Sequence, residues 1–153
     1  MTQPRIASGV APRIAIEGLT KYFGNHLVLD RVNLRVAPHE VVCLIGASGS
    51  GKSTLLRCIN RLIEPDYGKV LLDGVPVEDP SFGKTGLQRR VGIVFQSYNL
   101  FPHRNVLGNI TLAPIRVHGL TRAEAEARAH EVLAMLGMER FARAYPEQLS
   151  GGQ

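Results

Sequence analysis

One stretch constrains this chain more than any other: Gly46-Ala47-Ser48-Gly49-Ser50-Gly51-Lys52-Ser53. It matches the pattern Gly-x-x-x-x-Gly-Lys-Ser/Thr, which carries weight only between a strand and a helix. Both flanks fit. Before it runs Val41-Val42-Cys43-Leu44-Ile45, a continuous apolar run expected of a strand covered on both faces. After it, residues 52–62 read as a helix with Leu55, Leu56, Ile59 and Leu62 on one stripe. The glycines allow backbone conformations that a Cβ forbids, so several N–H groups can converge on a phosphate. The start of the helix, through Thr54, adds its partial positive charge. Lys52 supplies a mobile ammonium for the outer phosphates, and the Ser53 hydroxyl can hold Mg²⁺. The pattern implies nucleotide binding, and it does not choose among kinases, GTPases and transport ATPases.

The rest of the chain alternates strand and helix signals, then turns helical. Ile14, Ile16 and Leu19 begin a strand, and Val32, Leu34 and Val36 alternate with Asn33 and Arg35 as in a half-buried one. Val70-Leu71-Leu72 reads as a strand ending in the tight-turn pair Asp73-Gly74. Residues 91–95 form a further apolar run, expected to be a buried strand, with a polar loop from Gln96. Residues 105–118 and 121–138 then look helical. The second has a capping box, Thr121 with Glu124, and Ala125, Ala129, Val132, Leu133 and Leu136 at helical spacing. The expected organisation is a flexible tail over 1–12, an α/β core over 13–96 and a helical subdomain over 97–153.

Composition narrows the partners. Apolar residues are 44% and charged residues 20% of 153, as in a folded globular domain. No apolar run approaches the roughly 20 residues that cross a bilayer, and residues 1–12 lack the apolar core of a secretory signal. A cytoplasmic location is expected. Cys43 and Cys58 stand outside any CxxC pattern and read as small buried hydrophobes in a reducing compartment. The five histidines have no metal-ligand spacing. The net charge is +5, but the basic residues are dispersed, so no nucleic-acid partner is expected.

Two further motifs choose among nucleotide-binding families. Val94-Phe95-Gln96 closes the last apolar run, and Leu149-Ser150-Gly151-Gly152-Gln153 ends the chain. A phosphate loop, then such a Gln, then LSGGQ resembles the ABC ATPases. The resemblance runs from about Ile14 to Gln153. It implies an α/β fold: a P-loop NTPase core with an antiparallel β subdomain and a helical signature subdomain, stopping short of the Walker B strand. It implies that Gln96 reaches Mg²⁺ and the attacking water and couples to a membrane partner. Phe23, with Tyr22 as runner-up, would stack on the adenine of ATP. Ser150, Gly151 and Gly152 would bind the γ-phosphate held by a second copy, through small residues and a helix start.

The resemblance also implies an assembly: a homodimer beneath two transmembrane permease subunits, at the cytoplasmic face of the membrane, served by a solute-binding protein. Arg57-Cys58-Ile59-Asn60-Arg61, Glu64-Pro65-Asp66, Asn99-Leu100-Phe101-Pro102-His103 and Leu112-Ala113-Pro114 look like the importers of polar amino acids. Ala47, Tyr67 and Gly108 depart from the usual pattern, Gly108 at a cost of about 1 kcal/mol to its helix.

The family places its Mg²⁺-binding Asp, catalytic Glu and a His after LSGGQ. Val70-Leu71-Leu72-Asp73 is an apolar run ending in an acid, but Gly74 follows it, and it reads as a turn. Residues 1–153 alone are therefore expected to bind Mg-ATP weakly or not at all, not to hydrolyse it, and to be poorly stable. The alternatives are a non-catalytic ATP-binding fragment, or an ABC ATPase outside transport.

Overall fold

The computed structural model describes residues 11–83 and 85–153. The tail expected over 1–12 thus lies mostly outside the described residues. The chain forms two compact units, one up to Val91 and one over Gly92–Gln153.

The first unit is built on a sheet ordered β2-β1-β3-β4, every neighbouring pair antiparallel. β1 is Ile14–Phe23, β2 is His26–Val36, β3 is Tyr67–Leu72 and β4 is the short Val75–Pro76. The alternation expected around Val32, Leu34 and Val36 is present, these three half-buried and Asn33 and Arg35 exposed. Asp73 and Gly74 make the hairpin turn with φ of 52° and 79°, the left-handed pair that a two-residue hairpin requires. Helix α1, Lys52–Ile59, packs Leu55 and Cys58 onto this sheet, in a core with Ile16, Leu19, Leu29, Val70, Leu72, Val77 and Leu87. Leu87 comes from a five-residue helix α2, Gly86–Arg90.

Three expectations are corrected. Helix α1 stops at Ile59, and Leu56 and Leu62 are exposed, because Cys58 rather than Leu56 faces the sheet. Neither apolar run, 41–45 nor 91–95, forms a strand among the described residues. Val42 and Leu44 are half-buried, Leu44 against the core, while Val41 is 89% and Ile45 87% exposed. Val94 is 93% exposed. A strand needs a hydrogen-bonded neighbour, and no described strand pairs with these runs. Cys43 is exposed for the same reason, and only Cys58 is buried.

The second unit packs α3, Val106–Arg116, against α4, Arg122–Met135. Asn105 caps α3 by accepting the Gly108 N–H at 2.8 Å, and the Val106 and Leu107 N–H groups donate to Ala144 and Ala142. The capping box of Thr121 and Glu124 is present on α4. Ala125, Ala129 and Leu133 form its buried stripe, whereas Val132 and Leu136 are exposed. Leu133, Val106 and Ala142 are the centre of this unit, with Leu149 packed against them.

Candidate nucleotide-binding site

The phosphate loop is a turn held open by its glycines. Gly49 and Gly51 have φ of 81° and 85°, which side chains disfavour. Gly51 also has no room for a Cβ, which would stand 2.9 Å from both Leu29 Cδ2 and the Val28 carbonyl oxygen. At Gly46 a Cβ would meet Ser50 Oγ at 2.8 Å. The loop thus leans on β2 through Gly51 and folds tightly at Gly46.

Lys52 turns back over this loop. Its ammonium donates to the carbonyls of Gly46 at 2.8 Å and Ala47 at 2.7 Å, and to Ser50 Oγ at 3.2 Å. Three neutral oxygens around one cation mark a position where anionic phosphate oxygens would be better acceptors. Ser53 is exposed and Thr54 half-buried in the first turn of α1, where backbone N–H groups have no intrahelical acceptor. The loop's remaining residues, Ala47 and Ser48, are exposed beside them. A phosphate chain fits this arrangement: a helix N-terminus and a cation share one short segment. Ser53 supplies the hydroxyl oxygen that could hold Mg²⁺. Among the described residues no cluster of three His, Cys, Asp or Glu side chains offers a metal site of its own.

Phe23 closes β1 and is 49% exposed, and Tyr22 is 39% exposed. Sequence reasoning assigned no role to Asp66 beyond family likeness. Its carboxylate accepts the Tyr22 N–H at 2.6 Å and the Lys21 ammonium at 3.3 Å. The Tyr22 N–H holds this carboxyl below the usual carboxylate range, burial opposing and Lys21 assisting. Asp73, by contrast, is engaged with Arg13 beside the hairpin.

Gln96 belongs to the second unit and lies on an exposed turn. The signature residues lie in the same unit. Leu149 anchors them, and Ser150, Gly151 and Gly152 are exposed. Here they form a turn rather than the expected helix start: the Gln153 N–H donates to the Ser150 carbonyl, and the Ser150 N–H to Gln153 Oε1, both at 2.9 Å. The Tyr98 hydroxyl donates to the Gly151 carbonyl at 2.8 Å. No local pattern could have announced that contact, since 53 positions separate the two residues.

A glycine-rich loop ahead of α1, with its lysine poised over it, defines a P-loop nucleotide-binding protein. The ABC transporter family profile matches residues 29–153, and the chain belongs to that family. It is 46% identical over 140 residues to the glutamine transport ATP-binding protein GlnQ of Escherichia coli, covering 92% of this chain and 58% of that protein. It is 49% identical over 140 residues to the Fe(3+) ions import ATP-binding protein FbpC of Streptomyces coelicolor, covering 92% of this chain and 39% of that one. The chain thus spans little more than half the length of the first relative. Among solved structures it is similar to the ATP-binding cassette MJ0796, a dimer in a post-hydrolysis state bound to ADP and Pi. That match has a TM-score of 0.77 and 36% identity, over 92% of this chain and 64% of the other. The fold is therefore that of an ABC ATPase cassette, mixed α/β with an antiparallel sheet. Among the described residues no helix is long and apolar enough to cross a membrane.

Proposed function

We propose that this protein is the ATP-binding subunit of an ABC importer, and that its phosphate loop holds Mg-ATP. The observation that carries the reading is the Lys52 ammonium, gathered by Gly46, Ala47 and Ser50 in front of α1. Phosphate oxygens would replace these three acceptors, the N–H groups at the start of α1 would donate to the phosphate chain, and the Ser53 hydroxyl would be the protein's ligand to Mg²⁺. When bound, Mg²⁺ would supply neutralisation of the charge that builds on the phosphates. Phe23 stacks on the base. Gln96 and Ser150 to Gly152 take the roles that family membership gives them, Gln96 at the metal and water, and the signature against ATP of a second copy.

The test is Mg-ATP affinity, by calorimetry, in the protein at its full natural length. Lys52→Ala should weaken binding by at least about tenfold, the loss of one charge-assisted contact of 1.5–3 kcal/mol. Equal affinity in both would remove the loop from the site. Residues 1–153 by themselves should show no steady-state hydrolysis, because Asp73, the acid that ends an apolar strand, is engaged in a hairpin. Turnover that disappears in Lys52→Ala would overturn this.

The solute we propose is a polar amino acid, supported by the motifs around Asn60 and His103 and by the glutamine relative. The iron relative is more identical over the same length, so these residues do not themselves recognise the solute. The assembly is a homodimer with two permease subunits and a solute-binding protein, on the cytoplasmic face of the membrane. Co-purification with a transmembrane subunit, followed by uptake assays of glutamine and of ferric ion, separates the readings.

A further inference from the structure

The end of β1 that carries Phe23 runs past its neighbour. The β1–β3 ladder stops at Thr20 and Tyr67, so Tyr22 and Phe23 have no partner on that edge. On the other edge the β1–β2 register is irregular between Lys21 and Tyr22. β2 still pairs Tyr22 with Leu27 and Phe23 with His26, so this strand end is held by a ladder on one edge only, and past a register shift.

Asp66 supplies a hold on the other edge, where the β3 ladder has ended. Its own N–H donates to the Thr20 carbonyl at 2.9 Å, which seats it beside β1. Its carboxylate then accepts the Tyr22 N–H at 2.6 Å, where a β3 carbonyl would have been. The same carboxylate holds the Lys21 ammonium at 3.3 Å. Lys21 in turn places that ammonium 5.6 Å from the centre of the Phe23 ring, over its face. The Lys21 side chain is only 16% exposed, whereas Phe23 is half exposed. The cation is therefore sequestered against the ring, and the ring keeps a solvent-facing part. Residues two apart on a strand share a face, which is why Lys21 reaches Phe23 and not Tyr22.

We propose that Asp66 and Lys21 are positioning residues for nucleobase binding. Asp66 fixes the strand end and aims Lys21, and Lys21 holds the Phe23 ring by a cation–π contact so that it is preset to stack on a base. The inference rests on the reading of Phe23 as the stacking residue. An ordered ring loses less freedom when the base arrives, so its removal from position weakens base binding without touching the phosphates.

The experiment compares the affinity for ATP with that for inorganic triphosphate, both with Mg²⁺, by calorimetry on the protein at its full natural length. Phe23→Ala sets the size of the base contribution. Asp66→Ala and Lys21→Met should each weaken ATP by about two- to tenfold, from contacts of 0.5–1 kcal/mol or slightly more. Triphosphate affinity should stay within about twofold, a selectivity that general loosening of the fold would not produce. If Phe23→Ala lowers the preference for ATP while Asp66→Ala and Lys21→Met do not, the positioning role is overturned and the stacking role stands. If Phe23→Ala leaves the preference unchanged, the stacking reading fails and this inference with it. Should Asp66→Ala lose both ligands through misfolding, Lys21→Met decides, because it keeps the Asp66–Tyr22 bond and the aliphatic stem. An unchanged preference in that variant overturns the proposal.

Discussion

Gly51 and Gly49 share a left-handed backbone but not the same surroundings. A Cβ at Gly51 would collide with Leu29 and the Val28 carbonyl, whereas one at Gly49 meets nothing within 4 Å. The backbone cost alone is about 1–2 kcal/mol, and overpacking adds roughly 1–3 kcal/mol. Gly51→Ala should therefore be the more destabilising of the two, with a larger fall in the midpoint of urea unfolding. Equal shifts would show that the loop gives way freely against β2. The glycine spacing was legible in the sequence because a phosphate loop is a local object. That Gly51 is also a packing position was not, because Leu29 reaches it from another element.

At the scale of elements, α4 depends on its first turn. Thr121 Oγ1 and its backbone N–H both engage Glu124, and the hydrogen bonds from Thr121 hold the Glu124 carboxyl below its ordinary value, against a small opposing effect of burial. Thr121→Ala should cost about 1 kcal/mol, read from thermal unfolding of the second unit. A depressed carboxyl stabilises the fold when ionised. Its contribution is present above about pH 4.3, the ordinary value for an unfolded Glu, and is lost as the pH falls through the lower folded value. Glu124→Gln should remove that part of the acid sensitivity; an acid-unfolding curve identical to wild type would count against it. The cap of α4 was readable in advance, from the spacing of Thr121 and Glu124, whereas Asn105 was read only as the start of a helical stretch and its cap emerged from the structure. The stripe on α4 was only partly so. Ala125, Ala129 and Leu133 face α3, and Val132 and Leu136, at spacings that look equally suitable, face solvent.

For the molecule as a whole, the two apolar runs are where local pattern and tertiary structure part. Val41, Ile45 and Val94 are almost fully exposed, and so is one side of the segment that carries Cys43. In residues 1–153, Cys43 should be alkylated by iodoacetamide under native conditions, whereas Cys58 reacts only after unfolding. Burial raises the Cys58 thiol above its usual value, with Lys21 opposing and Asp66 assisting, and keeps it protonated. Peptide mapping distinguishes the two; protection of Cys43 would mean that a further segment or a second copy covers the run. Exposed apolar edges of this kind also favour association.

What could be read from the residues in order has its cause within a few positions: the phosphate loop, the Asp73-Gly74 hairpin, the capping box of α4 and the family signature. Apolar runs announce that a segment seeks cover, but not from which side or from which neighbour. Pairing decides that, and it is non-local. So the sheet order, the open face of residues 41–45, the reach of Tyr98 to Gly151 and the grip of Asp66 on the end of β1 come from the three-dimensional arrangement alone. Each joins residues that the chain holds far apart, and only packing brings such groups within hydrogen-bonding distance.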